Sequence, residues 1–414
     1  MRRLFRPTGA VLALLCLMYF INYLDRVNVS TAAAGFSTEF KLNRTQIGLV
    51  FSAFAYPYLV FQIIGGWVSD RFGTRRTLIV CGMVWMAADI SMGLSTGLVS
   101  LLAARVLLGL GEGATFPAAT AAMSRWVAKA NRGFAQGITH AFARIGNALA
   151  PGVIVVIMTT YGWRASFYVC ACFALAWVAA WAFTFTEEPR NHPGITPEEV
   201  AVLPVVQSKA KAVPWGRLAR RMAPVTLVYF CYGWNLWLFL SWIPQYFLHS
   251  YDMQITKSAI FASGVFFAGV VGDTLGGIVT DRLLHQTGNL KLARSAMVAL
   301  CMILTALSLL PLLFVHDLYV SLACLAAGFF FAEMTIGPMW AVPMDIASDL
   351  SGTASGMMNC GSALAAIISP VAGGYIIDST RNWELPFAGT IILMVIGAAM
   401  TFAMKPQQKL EINA

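Results

Sequence analysis

Two kinds of side chain that can do chemistry sit inside the apolar stretches of this 414-residue chain. Arg26, Arg105 and Arg144 keep their charge and can grip an oxyanion through a rigid fork of N–H donors. Asp25, Asp89, Glu112, Asp273 and Glu333 are carboxyls, which out of water can load and release a proton near neutrality. Such groups are costly in hydrocarbon, so by default they face cavities and mark pathways. The alternative for each is an ion pair that only staples two helices. The chemistry on offer is anion binding joined to proton movement.

Spacing narrows the roles. Arg105 and Glu112 are seven residues apart, which puts them on one helix face but about 10 Å apart along it, too far to pair directly and well placed to serve one cavity at two depths. Gly109, Gly111 and Gly113 strip side chains from that region and let a neighbouring helix or a ligand come close. Asp25 and Arg26 are adjacent and diverge by about 100° around their helix, so one should face a substrate and the other a partner helix. His140 and Arg144 share a face, with Asn147 one turn on. A further permanent cation at Arg144 suits an anion with a second acidic group, or one that stays charged while bound. Equally, Arg144 could neutralise Asp25, Asp89 or Glu112.

In the second half of the chain the offer is aromatic and amide groups: Tyr232, Trp234, Asn235, Trp237, Trp340 and Asn359. Such groups suit a sugar-like or aromatic carbon skeleton, although Trp and Tyr also anchor helices at membrane interfaces, the reading given to Trp242. Tyr23 and Tyr58 would add hydroxyl donors from the first half. Glu333 could act like Glu112 or be a packed, hydrogen-bonded residue. Asp89 and Asp273 are read as structural partners.

The elements that must hold these groups are membrane helices. The chain is 58% hydrophobic and 11% charged, against about 25% charged for a soluble domain. Twelve apolar runs are long enough to cross a bilayer, which takes roughly 20 residues each: residues 10–34, 46–68, 77–95, 98–121, 134–158, 164–185, 223–247, 257–279, 295–314, 318–342, 353–377 and 386–403. The first follows a basic stretch like a signal peptide, but is long and lacks an A-x-A-like cleavage site, so it is expected to be a retained helix. Of the 28 Lys and Arg residues, three are the intramembrane arginines, five (Lys41, Arg44, Arg164, Lys257 and Arg381) fall in loops on one side, and the other twenty lie on the side of the N-terminus. That bias predicts both termini in the cytoplasm. The net charge of +9 is therefore read as topology and not as a nucleic-acid surface. The eight cysteines lie in or beside apolar runs and read as packing residues, with no disulfide framework or metal site expected. No phosphate loop or nucleophile arrangement suggests an enzyme or a cofactor. The sequons at Asn28 and Asn43 carry little weight.

The longest polar segment, residues 187–221, divides six runs from six. The expected organisation is a six-helix bundle over 1–186, a cytoplasmic linker over 187–222 and a second bundle over 223–414. The halves repeat each other. GGWVSDRFGTRR from Gly65 is echoed by GGIVTDRLLHQTG from Gly276, GEGATFPA around Glu112 by AEMTIGPM around Glu333, and GFAQG from Gly133 by GTASG from Gly352. Two such halves are the signature of a transporter with its site at their interface near the bilayer midplane. Asp70, with Arg71, Arg75, Arg76 and a nearby helix N-terminus, could form a charge relay between helices that separate during transport, repeated in degraded form at Asp281 and Arg282. The repeat favours reading these residues as a conformational latch, while a topogenic basic cluster describes them as well.

The twelve runs, the central loop and the G-x-x-x-D-R-x-G-x-[KR]-[KR] motif from Gly66 to Arg76 resemble the major facilitator superfamily. NYLDRVNVS (from Asn22), the Arg105/Glu112 pair, YGWNLWLFLSWIPQY (from Tyr232) and GPMWAVPMDIA (from Gly337) resemble its anion:cation symporter branch, which includes bacterial sugar-acid/proton symporters and sialin-like carriers. The resemblance implies an all-α fold of two pseudo-symmetric six-helix bundles, working as a monomer in a bacterial inner membrane by alternating access. It implies proton-driven import of a small organic carboxylate, with Arg26 as the main clamp, helped by Arg105 or Arg144, and Asp25 and Glu112 as the proton-carrying acids. The family also contains anion exchangers and uncoupled facilitators, which remain alternatives. A membrane-embedded sensor would need a large soluble domain, and the longest loop here is too short for one.

Overall fold

The computed structural model describes residues 6–42, 44–204, 213–253 and 255–410. Arg2, Arg3, Lys209 and Lys211, counted above in the charge bias, and the sequon residue Asn43 lie outside the described residues.

The described residues form sixteen α-helices. In chain order these are α1 (Pro7–Glu39), α2 (Arg44–Ala53), α3 (Ala55–Phe72), α4 (Thr74–Gly93), α5 (Leu98–Gly113), α6 (Thr115–Trp126), α7 (Arg132–Tyr161) and α8 (Trp163–Thr184). A short α9 (Pro197–Val202) follows in the linker, then α10 (Trp215–Ser250), α11 (Ile255–Thr287), α12 (Met297–Leu309), α13 (Leu318–Glu333), α14 (Ile336–Ile346), α15 (Ser351–Thr380) and α16 (Leu385–Met400). A π-helical turn, Lys291–Ala296, leads into α12. Eleven stretches are long and apolar enough to cross a membrane, or twelve if α7, bent by 41° between Ala150 and Gly152, is one span. Pro151 lies at the bend, and a proline has no amide hydrogen to give the helix.

Several spans read as continuous from their apolar runs are made of two helices. The fourth breaks at Ala114 between α5 and α6, and the tenth breaks at Met334 and Thr335 between α13 and α14. At the first break the Thr115 hydroxyl donates to the Glu112 carbonyl (2.7 Å) and at the second the Thr335 hydroxyl donates to the Ala332 carbonyl (2.7 Å). These side chains satisfy backbone groups that an interrupted helix leaves open. A glycine packs on each break. A Cβ on Gly65 would lie 2.0 Å from the Ala114 Cβ, and one on Gly276 would lie 2.2 Å from the Met334 carbonyl oxygen. The glycines of α5 likewise admit neighbouring helices: a Cβ on Gly109 would meet the Phe54 carbonyl, and one on Gly111 the Trp85 backbone.

The chain divides into two compact units. The first comprises residues 1–129, 142–211 and 348–356. Its helices α4, α5 and α8 pack together, with α1 on α8 and α3 on α5 and α6. The second comprises residues 130–141, 212–347 and 357–414, with α11 on α13 and α14, and α12 on α13 and α16. The opening turn of α15 thus belongs to the first unit and the opening turn of α7 to the second. Each exchanged turn is held by an aspartate of the unit it joins. Asp70, in the last turn of α3, accepts from the amides of Gly352 (3.0 Å) and Thr353 (2.6 Å) and from the Thr353 hydroxyl (2.6 Å). Asp281, on α11, accepts from the amides of Gly133 (3.0 Å) and Phe134 (2.6 Å). A carboxylate suits a helix N-terminus, where backbone N–H groups lack intrahelical partners and the dipole favours negative charge.

Candidate functional site

In the first unit, α1 and α5 bring the central charges together. Arg26 Nε donates to Glu112 Oε2 at 2.8 Å, and the Glu112 side chain is fully buried. The Arg26 guanidinium carbon lies 4.8 Å from the Tyr23 and Tyr58 ring centroids and 5.2 Å from those of Phe54 and Phe116. Four rings from α1, α3, α6 and the α2–α3 junction therefore surround one cation, an arrangement worth more when water is excluded. Arg26 Nη2 and Glu112 Oε1 are buried with no hydrogen-bond partner among the described residues. The pair thus has a donor and an acceptor in reserve.

Asp25, one residue earlier, points a different way around α1. Its carboxyl accepts from the Trp85 indole N–H of α4, and Asp89, one turn beyond Trp85 on the same helix, lies beside it. Asn22, three residues before Asp25, accepts from the Thr115 hydroxyl at 3.2 Å. The adjacent acid and base of α1 therefore serve different partners, as their angular divergence requires.

Arg105 is buried beside the same group and spends two donors on backbone. Nε reaches the Val50 carbonyl at 3.1 Å and Nη2 the Phe51 carbonyl at 3.3 Å, in the last turn of α2. Its guanidinium carbon lies 5.0 Å from the Phe54 ring. Arg144 is buried with its guanidinium carbon 5.6 Å from the Tyr23 ring, so Arg26 and Arg144 flank one tyrosine.

The second unit gathers aromatic and amide groups. The Tyr232 hydroxyl donates to Glu333 Oε2 at 2.9 Å, and the Trp340 indole donates to the Tyr229 hydroxyl at 2.7 Å. The His140 ring lies 5.1 Å from that of Trp340, with Nδ1 2.9 Å from the Gln136 carbonyl. Trp237 donates to the Ser362 hydroxyl at 3.3 Å. Trp234 stacks obliquely near Phe230, 6.1 Å between centroids, and its carbonyl accepts from Ser369. Asn359 is buried, and both side-chain amide atoms of Asn235 are buried with no hydrogen-bond partner among the described residues. Trp242 donates to the Pro370 carbonyl at 3.0 Å.

Around Asp70, the partners are backbone amides and a hydroxyl. Arg71, Arg75 and Arg76 are exposed; Arg71 lies near the Trp67 and Phe72 rings and Arg75 donates to the Ala182 carbonyl. Arg125 instead pairs with Glu187, which accepts from the Thr74 (3.1 Å) and Arg75 (3.0 Å) amides at the start of α4. Sequence reasoning passed over this role of Glu187, and over a buried network in the second unit. Asp345 bridges Arg132 (3.2 Å) and Arg294 (3.0 Å), and Arg294 also reaches Asp281 (3.4 Å) and Thr280 (2.8 Å). By sequence position alone Arg132 and Arg294 belong with the twenty cations of the N-terminal side, because they flank the starts of apolar runs. The signal that could have drawn attention to them is Asp345, the lone acid in GPMWAVPMDIA.

The chain matches the Major Facilitator Superfamily model over residues 15–369 and 287–413. The chain belongs to that superfamily. This superfamily member is 42% identical over 411 residues, 98% of its length and 96% of the relative's, to a protein of Cupriavidus necator named as a probable sulfoacetate transporter. It is 28% identical over 388 residues, 92% of its length and 90% of the relative's, to the hexuronate transporter of Bacillus subtilis. Among solved structures, the human organic anion transporter MFSD10 aligns over 95% of this chain and 99% of its own with a TM-score of 0.72 and 16% identity, a likeness of fold. The internal repeat and the twelve apolar runs are thus those of a major facilitator fold.

Proposed function

We propose that this superfamily member imports a small organic anion with protons, and that the anion carries two acidic groups, with a short sulfonated carboxylate such as sulfoacetate the first candidate and sugar acids the second. The observation that carries the reading is Arg26: a half-buried residue whose guanidinium is ringed by four aromatic faces and ion-paired to Glu112, with one nitrogen, Nη2, uncommitted among the described residues. While Glu112 is ionised it competes with any incoming anion for that guanidinium. A proton on Glu112 releases Arg26 to the substrate, so anion and proton bind together and leave together.

Arg144 supports the choice of a dianion. It shares the Tyr23 ring with Arg26, which sets two permanent cations within the span of a small molecule. A sulfonate keeps its charge at every physiological pH, so it needs a cation that does the same. The 42% identity over nearly the whole chain to a probable sulfoacetate transporter supports the same candidate. In this reading the carrier works by alternating access in a bacterial inner membrane.

The test uses purified carrier in liposomes loaded with a pH-sensitive dye, with sulfoacetate, glucarate, glucuronate and a neutral sugar added in turn. Acidification of the lumen on adding the transported anion supports symport. Arg26→Ala should weaken binding by at least ~30-fold, the equivalent of about 2 kcal/mol or more for truncating one partner of a buried charge pair. Glu112→Gln should bind the anion but no longer acidify the lumen. Anion-for-anion exchange without acidification in the unaltered protein would replace symport by exchange, and uptake of only the neutral sugar would overturn the reading.

A further inference from the structure

Asp89 has no part in the reading above, yet it is almost fully buried within the first unit and faces another acid. It lies on α4 one turn after Trp85, so helical spacing brings the Trp85 indole and the Asp89 carboxyl to the same neighbour, Asp25 of α1. The Trp85 N–H satisfies Asp25 Oδ2. Asp25 Oδ1 and Asp89 Oδ2 are both buried with no donor among the described residues. Two neighbouring buried carboxyls, each with an oxygen that no donor among the described residues satisfies, are completed by one hydrogen between them.

We propose that Asp25 and Asp89 form a carboxyl pair that holds one shared proton, making Asp89 a second member of the proton site and not a separate structural residue. This rests on the proton-coupled reading given above for its role in transport, though not for its existence. A proton on either carboxyl supplies the missing donor, and the pair then carries a single negative charge. The groups facing it are few: Glu112 and Arg105 on α5, Cys170 on α8 and Trp85 on its own helix. Cys170 accepts from the Asn28 amide at 3.5 Å, and Asn28 from the Ser166 hydroxyl at 2.8 Å, which leaves the Cys170 S–H free to donate to Asp25. Arg26 is committed to Glu112, and Arg105 to the carbonyls of α2. Of these two cations Arg105 alone faces the pair, which balances the single negative charge of a pair holding one proton but not the two charges of an unprotonated pair.

The arrangement also balances the cluster. The buried acids Asp25, Asp89 and Glu112 stand against the buried arginines Arg105 and Arg144 and the half-buried Arg26, three against three. With every group ionised the cluster is neutral and has no excess charge for an anion. With one proton shared by the pair it carries a single positive charge, and with a second on Glu112 it carries two, matching a dianion. Loss of the shared proton returns the cluster towards neutrality and favours release. The pair titrates as one unit, so its two carboxyls have a joint midpoint.

Infrared difference spectroscopy on the purified, full-length protein tests the pair without reference to transport. A protonated-carboxyl carbonyl band should be present near pH 7 and should vanish in both Asp25→Asn and Asp89→Asn, while Glu112→Gln keeps it. A band that survives Asp89→Asn, or no band at all, overturns the pair. Proton-driven uptake then tests the role. In Asp89→Asn the amide N–H can take the place of the shared proton, so the pH midpoint of uptake should move to lower pH by about one unit or more, with Asp89→Glu restoring it towards the original value. A purely structural Asp89 would lower the uptake rate and leave the midpoint where it was. If the unaltered protein moves no protons with substrate, the symport reading fails and the infrared result alone decides the pair. Melting temperatures of each variant identify those that have not folded.

Discussion

Arg105 commits two of its three guanidinium nitrogens to holding helices together. Its Nε and Nη2 tie α5 to the carbonyls of Val50 and Phe51 in the last turn of α2, where a cation also complements the helix dipole. Its Nη1 is buried with no hydrogen-bond partner among the described residues. Hydrogen bonds to charged groups contribute about 1.5–3 kcal/mol each, so Arg105→Lys, which cannot span both carbonyls, should cost on the order of 2 kcal/mol of stability. Arg105→Met should cost more, because both carbonyls are then left without a donor. The measurement is the melting temperature of each purified variant beside an anion titration. An unchanged melting temperature with weakened anion binding would make Arg105 a substrate ligand and remove the structural role.

At the scale of elements, the broken fourth and tenth spans carry Glu112 and Glu333, respectively, in the last turns before their breaks. What lets the partner helices approach these breaks is the absence of a side chain at Gly65 and Gly276. Gly65→Ala places a methyl 2.0 Å from the Ala114 Cβ, and overpacking of this kind costs typically about 1–3 kcal/mol. Gly389→Ala, in α16 with nothing within 4 Å of the added Cβ, is the matched control and should be neutral or slightly stabilising by helix propensity. If both variants melt alike in detergent, close packing at the α5–α6 break contributes nothing. This is also the scale at which sequence reading loses detail. Apolar runs place the spans, because hydrocarbon demands length and low polarity, and the repeated GEGATFPA and AEMTIGPM show that the two halves match. Neither property distinguishes a straight span from one broken at Ala114 or Met334, since a threonine hydroxyl can satisfy the interrupted backbone without changing hydropathy. The Arg26–Glu112 pair was equally hidden. Spacing shows that Arg105 and Glu112 cannot pair on one helix, but no local pattern says which other helix brings a cation to Glu112. The charges at span ends were hardest to read. Arg132 and Arg294 have the sequence positions of topogenic residues, and only the approach of Asp345 from α14 makes them a buried network.

For the molecule as a whole, the side on which the C-terminus lies depends on whether α7 crosses the membrane. The other eleven candidate spans are single stretches; α7 bends by 41° at Pro151. If α7 crosses, the spans number twelve and the termini share a side, whereas eleven would put them on opposite sides. A bend of that size shortens a helix only modestly, and the 30 residues Arg132–Tyr161 would rise about 45 Å if straight, against about 30 Å of hydrocarbon. The charge distribution points the same way: Lys405 and Lys409 beyond α16 belong with the basic N-terminal side only if the span count is even. Both arguments predict that a fluorescent protein fused after residue 414 is fluorescent in the bacterial cytoplasm and that alkaline phosphatase fused there is inactive. Truncating the fusion after α6 should give the same result, and fusing within the loop between α7 and α8 the reverse. An active phosphatase at the C-terminus would mean that α7 does not cross.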